Sequence, residues 1–145
     1  MAKLFTIEEA AEKIPRITEI FNEMYDNREK LFIVKKEIKW LKKFWGAELN
    51  EYNPDKEKIS MLRDIATDVS GQILENIKEL ECIGCVIEDL EKGIINFYHN
   101  QKEELVFLCW SYGENGINHW HTLNERFERR KPIKDLIKKF KIPRG

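Results

Sequence analysis

The sequence predicts an α+β protein that is mostly α. A long antiparallel, coiled-coil-like helical hairpin carries a small three-stranded antiparallel β-unit and a short terminal helix at its C-terminal end. Three observations predict this. Apolar residues recur at heptad spacing over two long stretches before Gly93. Beyond Gly93 the pattern changes to β-branched and aromatic runs separated by turn residues. A basic amphipathic stretch then closes the chain.

Thr6-Ile7-Glu8-Glu9 is a capping box, in which the Thr6 hydroxyl accepts from the Glu9 amide while the Glu9 carboxylate reaches back. It opens a short helix that Pro15 is expected to end, since proline lacks an amide and clashes with the preceding turn. Pro15 would then sit in the first turn of a longer helix. In that helix Ile17, Met24, Leu31, Ile38 and Trp45 fall seven apart, with Ile20, Asn27, Val34 and Leu41 as the second row of the seam. Gly46 ends it, and a polar loop through Asn53-Pro54 reverses the chain. The second helix repeats the pattern with Ile59, Ala66, Ile73, Leu80 and Ile87 in one row. Leu62, Val69, Asn76, Ile83 and Leu90 make the other, with Gly93 as the stop. Asn27 and Asn76 are the polar interruptions of the two seams. They are expected to pair, directly or through water, and so to set the register of the hairpin.

The two seams do not account for every apolar residue. Phe21, Phe32, Phe44, Met61, Ile65, Ile77 and Val86 lie outside them and still need cover. The C-terminal segment can cover some, and a second hairpin can cover the rest as a four-helix bundle, so a homodimer is expected.

After Gly93, Ile94–Tyr98 and Leu105–Trp110 read as a β-hairpin with a loop of four to six residues over His99–Glu103. Asn115-Gly116 is a turn dipeptide, Ile117–His121 a third strand, and Ile133–Phe140 a short basic helix. The expected division is residues 1–93 for the capped helix and hairpin and 94–145 for the β-unit, packed together as one structural domain.

Lys and Arg number 25 and Asp and Glu 26 among 145 residues, giving a net charge of −1. So balanced a chain has no general drive toward nucleic acid, which needs clustered positive charge. The run Arg126, Arg129, Arg130, Lys131, Lys134, Lys138, Lys139, Lys141 and Arg144 is basic, but reads as a solvated helix face and frayed terminus. No apolar signal region follows Met1 and no apolar run is long enough to span a bilayer, so a cytoplasmic protein without a membrane partner is expected. Its three cysteines then read as reduced thiols.

Leu108-Cys109-Trp110-Ser111-Tyr112-Gly113-Glu114 and His119-Trp120-His121 gather two of the four tryptophans and two of the three histidines. These side chains join a large apolar body to a polar tip that needs a partner, so the region is the candidate site. Asp89, Trp110, Glu114, Trp120, His121 and Arg130 are the candidate ligand-binding residues, suited to a small molecule or a protein. A divalent metal would fall to His119 and His121, which share a strand face, with Glu114 as oxygen ligand. Cys82-x-x-Cys85, Cys109 and His99 extend that donor set. The cysteine pair is expected inside the second helix, where packing is the commoner role. As an enzyme, the chain would use His121 as general base, Glu114 to orient it and Arg130 to hold an anionic group. No Gly-rich phosphate loop, nucleophile elbow or paired-carboxylate motif supports catalysis. Three readings are separable by structure. An enzyme needs a deep pocket joining Glu114, His121 and Arg130. A binding module needs an open aromatic surface. A scaffold buries the aromatics and leaves the hairpin surface as the contact.

Phe5–Ala10, Gly93–Phe97, Leu108–Trp110 with Gly113-Glu114, Trp120-His121, Phe127, Arg130 and Pro132-Ile133 occur in an order that resembles an uncharacterised prokaryotic family, domain of unknown function 2203. The chain departs from that pattern at Asn96, His119, Thr122, Asn124, Arg126 and Arg129. The resemblance spans most of the chain and implies a shared fold, with no established activity. The expected function is accordingly a non-enzymatic binding or assembly module, and the alternative a metal-binding protein or small hydrolase-like enzyme.

Overall fold

The computed structural model describes residues 2–46 and 52–139. The fold is α+β: helix α1 spans Ile7–Trp45, α2 Lys56–Ile83 and α3 Ile133–Lys139. Strands β1 (Val86–Asp89), β2 (Ile94–Gln101), β3 (Glu104–Ser111), β4 (His119–Thr122) and β5 (Lys131–Pro132) form one antiparallel sheet in sequence order. The chain divides into two compact units, Met1–Phe21 with Glu79–Gly145, and Asn22–Lys78.

The first unit is built on the sheet. The capping box forms as expected: the Glu9 amide donates to Thr6 Oγ1 and the Thr6 amide to Glu9 Oε1, each at 3.0 Å. The break at Pro15 does not occur, and α1 runs through it without interruption. Ala10, Ile14, Ile17 and Ile20 are buried on either side of Pro15. The three isoleucine burials, each of roughly 1.5–3 kcal/mol for a branched aliphatic side chain, outweigh the ~3 kcal/mol cost of an interior proline.

The expected helix through Gly93 is also corrected. Helix α2 ends at Ile83, and Gly84, at φ +101°, turns the chain out. Its amide bonds the Glu81 carbonyl at 3.0 Å, tightening the last turn. A Cβ at Gly84 would also lie 3.3 Å from Phe5 Cζ, so both the backbone angle and the space call for glycine. Ile87 and Leu90 continue the heptad count only in number. Val86-Ile87 pairs with Ile95-Asn96 as an edge strand, and Gly93 closes the β1–β2 turn with Asp89 Oδ1 accepting from the Lys92 amide at 3.0 Å.

Five strands therefore replace the expected three. The β2–β3 loop is also shorter than expected. His99 and Asn100 stay in β2 opposite Val106 and Leu105, and only Lys102-Glu103 turns, both residues at positive φ. His99 is held there by the Phe5 carbonyl, 2.7 Å from Nδ1, and by Gln101 Oε1, 2.9 Å from Nε2.

Ile95, Phe97, Leu108, Trp110 and Trp120 are all buried and share one sheet face, as the pairs Ile95–Trp110, Phe97–Leu108 and Leu108–Trp120 require. The start of α1 covers it. Phe5 meets Phe97 edge-on at 4.9 Å between centroids, and Phe21 lies 6.0 Å from Trp110.

In the second unit the remaining lengths of α1 and α2 run antiparallel, as Glu23–Asn76, Glu37–Lys58 and Trp45–Asp55 contacts show in order. Ile38, Leu41, Ile59 and Val69 of the predicted seams are buried. Asn27 and Asn76 are buried too, and the direct hydrogen bond that Asn76 makes is to Glu23. Asn76 Nδ2 donates to Glu23 Oε2 at 3.1 Å, one turn before Asn27. Part of the predicted 46–54 loop, and Phe140, Lys141 and Arg144 of the basic tail, lie outside the described residues.

Candidate functional site

The opposite face of the sheet carries the polar residues. Asn96, Cys109 and His119 are direct neighbours across β2, β3 and β4, and Tyr98, Phe107 and His121 form the next row. The chain after β4 crosses this face as a strap, with a 3₁₀ turn at Phe127–Arg129 leading into β5.

Two clusters form beneath and beside the strap. In the first, Glu88 is nearly buried, its side chain 9% exposed, and His121 is fully buried. Glu88 Oε1 accepts from Asn96 Nδ2 at 3.0 Å, and Oε2 accepts from the Phe127 amide at 3.0 Å. Arg126 approaches the same carboxylate from the strap at 3.8 Å. His121 Nδ1 lies 2.8 Å from the Thr122 carbonyl, and Nε2 lies 3.0 Å from Asn96 Oδ1 and 3.5 Å from Glu88 Oε1.

In the second cluster Arg130 donates from both terminal nitrogens to the two carboxylate oxygens of Glu114, each at 2.8 Å, a forked geometry. Glu114 Oε1 also accepts from the Ser111 amide at 2.7 Å, and the Glu114 carbonyl accepts from Trp110 Nε1 at 3.0 Å. Arg130 stacks over Phe127 within the strap, 4.1 Å to the centroid. Burial raises the Glu114 carboxyl, but the Arg130 and Ser111 hydrogen bonds outweigh it and hold the group below the usual carboxylate range. Burial pushes the Cys109 thiol up to about 12 despite nearby Arg130, and Cys85 likewise to about 12. Burial thus favours the protonated thiol at both positions at neutral pH.

The candidate residues thus separate. Glu114 and Arg130 meet, and Trp110 joins them through the Glu114 backbone. His121 is oriented by Asn96 and Glu88, not by Glu114. Trp120 lies on the opposite sheet face with Lys131 4.8 Å above its ring, and Asp89 holds the β1–β2 turn. His119 Nδ1 comes within 3.6 Å of Glu114 Oε2. Cys82 is exposed on the last turn of α2, while Cys85 lies past the helix end and donates to the Leu80 carbonyl at 3.3 Å, so the pair does not share a helix. Among the described residues, no three His, Cys, Asp or Glu side chains are grouped to hold a metal ion.

Glu88 and Glu125 are the residues that sequence reasoning missed. Glu88 was hidden by the heptad count, although Gly84 and the β-branched pair Val86-Ile87 signal the change to strand. Glu125 accepts from the Thr122 amide and from Lys131 Nζ, both at 3.1 Å, and these bonds lower its carboxyl to about 2. A carboxyl depressed in the folded state contributes stability above its unfolded pKa and loses it as pH falls through the folded one. The strap is therefore expected to loosen between pH 4.5 and about 2. Hydrogen exchange should show protection lost over residues 122–131 before β2 and β3; simultaneous loss would show that Glu125 and Glu114 do not hold the strap.

A five-stranded antiparallel sheet in one unit and an antiparallel helix pair in the other define the class of structure as α+β. The chain belongs to the family of uncharacterised conserved proteins DUF2203, which it matches over residues 3–133. No curated protein and no solved structure matches it. No described helix is long and apolar enough to cross a membrane.

Proposed function

We propose that the protein is an assembly module, without chemistry of its own, whose helical arm packs against a second copy to give a homodimer. The observation that carries this reading is the exposed apolar face of residues 22–78. Phe32 is 66% exposed, Trp40 62%, Phe44 65% and Met61 64%, and Ile33 and Ile65 are exposed beside them. All of these but Phe32 fall on one side of the arm. Glu37 and Lys58 join the two helices with a 3.1 Å ion pair. Ile33, Trp40 and Phe44 lie four before, three after and seven after Glu37, while Met61 and Ile65 lie three and seven after Lys58. Helical periodicity places all five on the ion pair's side. So large an apolar face on a soluble arm signals a protein contact, and a second two-helix arm completes a four-helix bundle.

The C-terminal region supports the same reading. Trp110, Trp120 and His121 are 0%, 1% and 0% exposed, so they offer no open aromatic surface. The Glu114 carboxylate is occupied on both oxygens by Arg130, and His121 is committed to the sheet.

Analytical ultracentrifugation tests the proposal. The native chain is expected to sediment as a dimer, and Trp40→Glu with Phe44→Glu as a monomer of unchanged helicity. A native chain that stays monomeric over the micromolar range would overturn it.

A further inference from the structure

The charges along the outer face of α1 say how two copies would meet. This rests on the homodimer just proposed. We infer that the dimer is antiparallel and isologous, with its two-fold axis at Phe32–Ile33, and that Asp26 and Glu29 of each copy pair with the partner's Lys39 and Lys36.

The face changes sign along its length. On the N-terminal side of Phe32 the exposed acids Glu23, Asp26 and Glu29 outnumber the exposed bases Arg28 and Lys30. On the C-terminal side Lys35, Lys36, Lys39, Lys42 and Lys43 are exposed, against a single acid, Glu37, which is already tied to Lys58. Neither Asp26, Glu29, Lys36 nor Lys39 makes an ion pair among the described residues. Two shallow hollows follow one another along the helix and share Phe32. One is lined by Tyr25, Arg28, Glu29 and Phe32, the other by Phe32, Ile33, Lys36, Glu37 and Trp40.

An isologous contact sets a surface against its own copy rotated by half a turn, so its axis must lie where the surface complements itself. With the axis between Phe32 and Ile33, the rotation exchanges the two hollows. Glu29 comes level with the partner's Lys36 and Asp26 with the partner's Lys39, while Tyr25 comes level with the partner's Trp40. Opposite charges then flank a central apolar contact on both sides. A parallel arrangement would instead lay the lysine-rich stretch of residues 35–43 along its own copy, and like charges brought together at an interface oppose binding. Only the antiparallel setting neutralises the lysines from within the dimer.

Two charge-reversal variants, Asp26→Lys with Glu29→Lys and Lys36→Glu with Lys39→Glu, test this by ultracentrifugation and native mass spectrometry. Each alone sets like charges face to face, so self-association is expected to weaken at least about tenfold. Mixed in equal amounts, the two variants are expected to form a heterodimer as tight as the native dimer. All four positions are exposed, and circular dichroism should show unchanged folding. A native dimer with both variants equally dimeric and no preference for the mixed species would overturn this arrangement while leaving the homodimer standing. A monomeric native chain would overturn both, and binding of that monomer to anionic lipid vesicles would assign the lysines to a membrane surface instead.

Discussion

Glu88→Ala is expected to destabilise the protein by about 3–5 kcal/mol, because two hydrogen-bond donors lose a nearly buried carboxylate at roughly 1–3 kcal/mol each. The carboxylate alone accepts from the Phe127 amide on the strap and from Asn96 on the sheet, and faces the fully buried His121 ring. Its loss leaves the Phe127 amide and Asn96 Nδ2 without their acceptor, and a stranded donor forfeits its hydration without compensation. At roughly 2–4 °C per kcal/mol for a chain of this size, the melting temperature should fall by about 6–20 °C. Urea denaturation would measure the change. A loss under about 1 kcal/mol would mean that water substitutes for the carboxylate and that the cluster does not hold the strap.

The second large effect separates tryptophans that the sequence alone cannot rank. Trp110→Ala should cost about 3–5 kcal/mol, because the ring is fully buried against Phe21 and its Nε1 anchors the Glu114 carbonyl. Trp40→Ala, the same chemical change on a ring 62% exposed, should alter chain stability by no more than about 0.5 kcal/mol when measured below the dissociation concentration. Its effect should fall on association. Equal destabilisation by the two substitutions would contradict both the burial of Trp110 and the assignment of Trp40 to a contact.

The sealed polar face also explains why the motif-rich segment misleads when read alone. Trp110, Trp120 and His121 have the composition of a binding site, yet two of them build the apolar side of the sheet and the third holds its polar side. Alternation along β4 sends His119 and His121 one way and Trp120 the other. Strand residues adjacent in sequence therefore cannot share a site face, and an inventory of residue types has no means of registering this.

Within the sequence itself lay whatever is local. The capping box, the antiparallel hairpin seams around Ile38, Leu41, Ile59 and Val69, the β3 strand and the α+β class follow from hydrogen-bonding patterns and apolar periods that a few neighbouring residues set by themselves. Tertiary structure decided the rest, wherever distant segments compete for the same residue. Burial of Ile14 and Ile17 carries α1 through Pro15. The edge of β2 takes Val86-Ile87 away from α2 and turns three strands toward five. Glu88 rather than Glu114 receives His121, because the sheet register brings Asn96 and β1 alongside and leaves Glu114 to Arg130. The long-range partner makes these choices, since the free energy of burying one apolar side chain or satisfying one buried charge equals or exceeds the local preference it overrides.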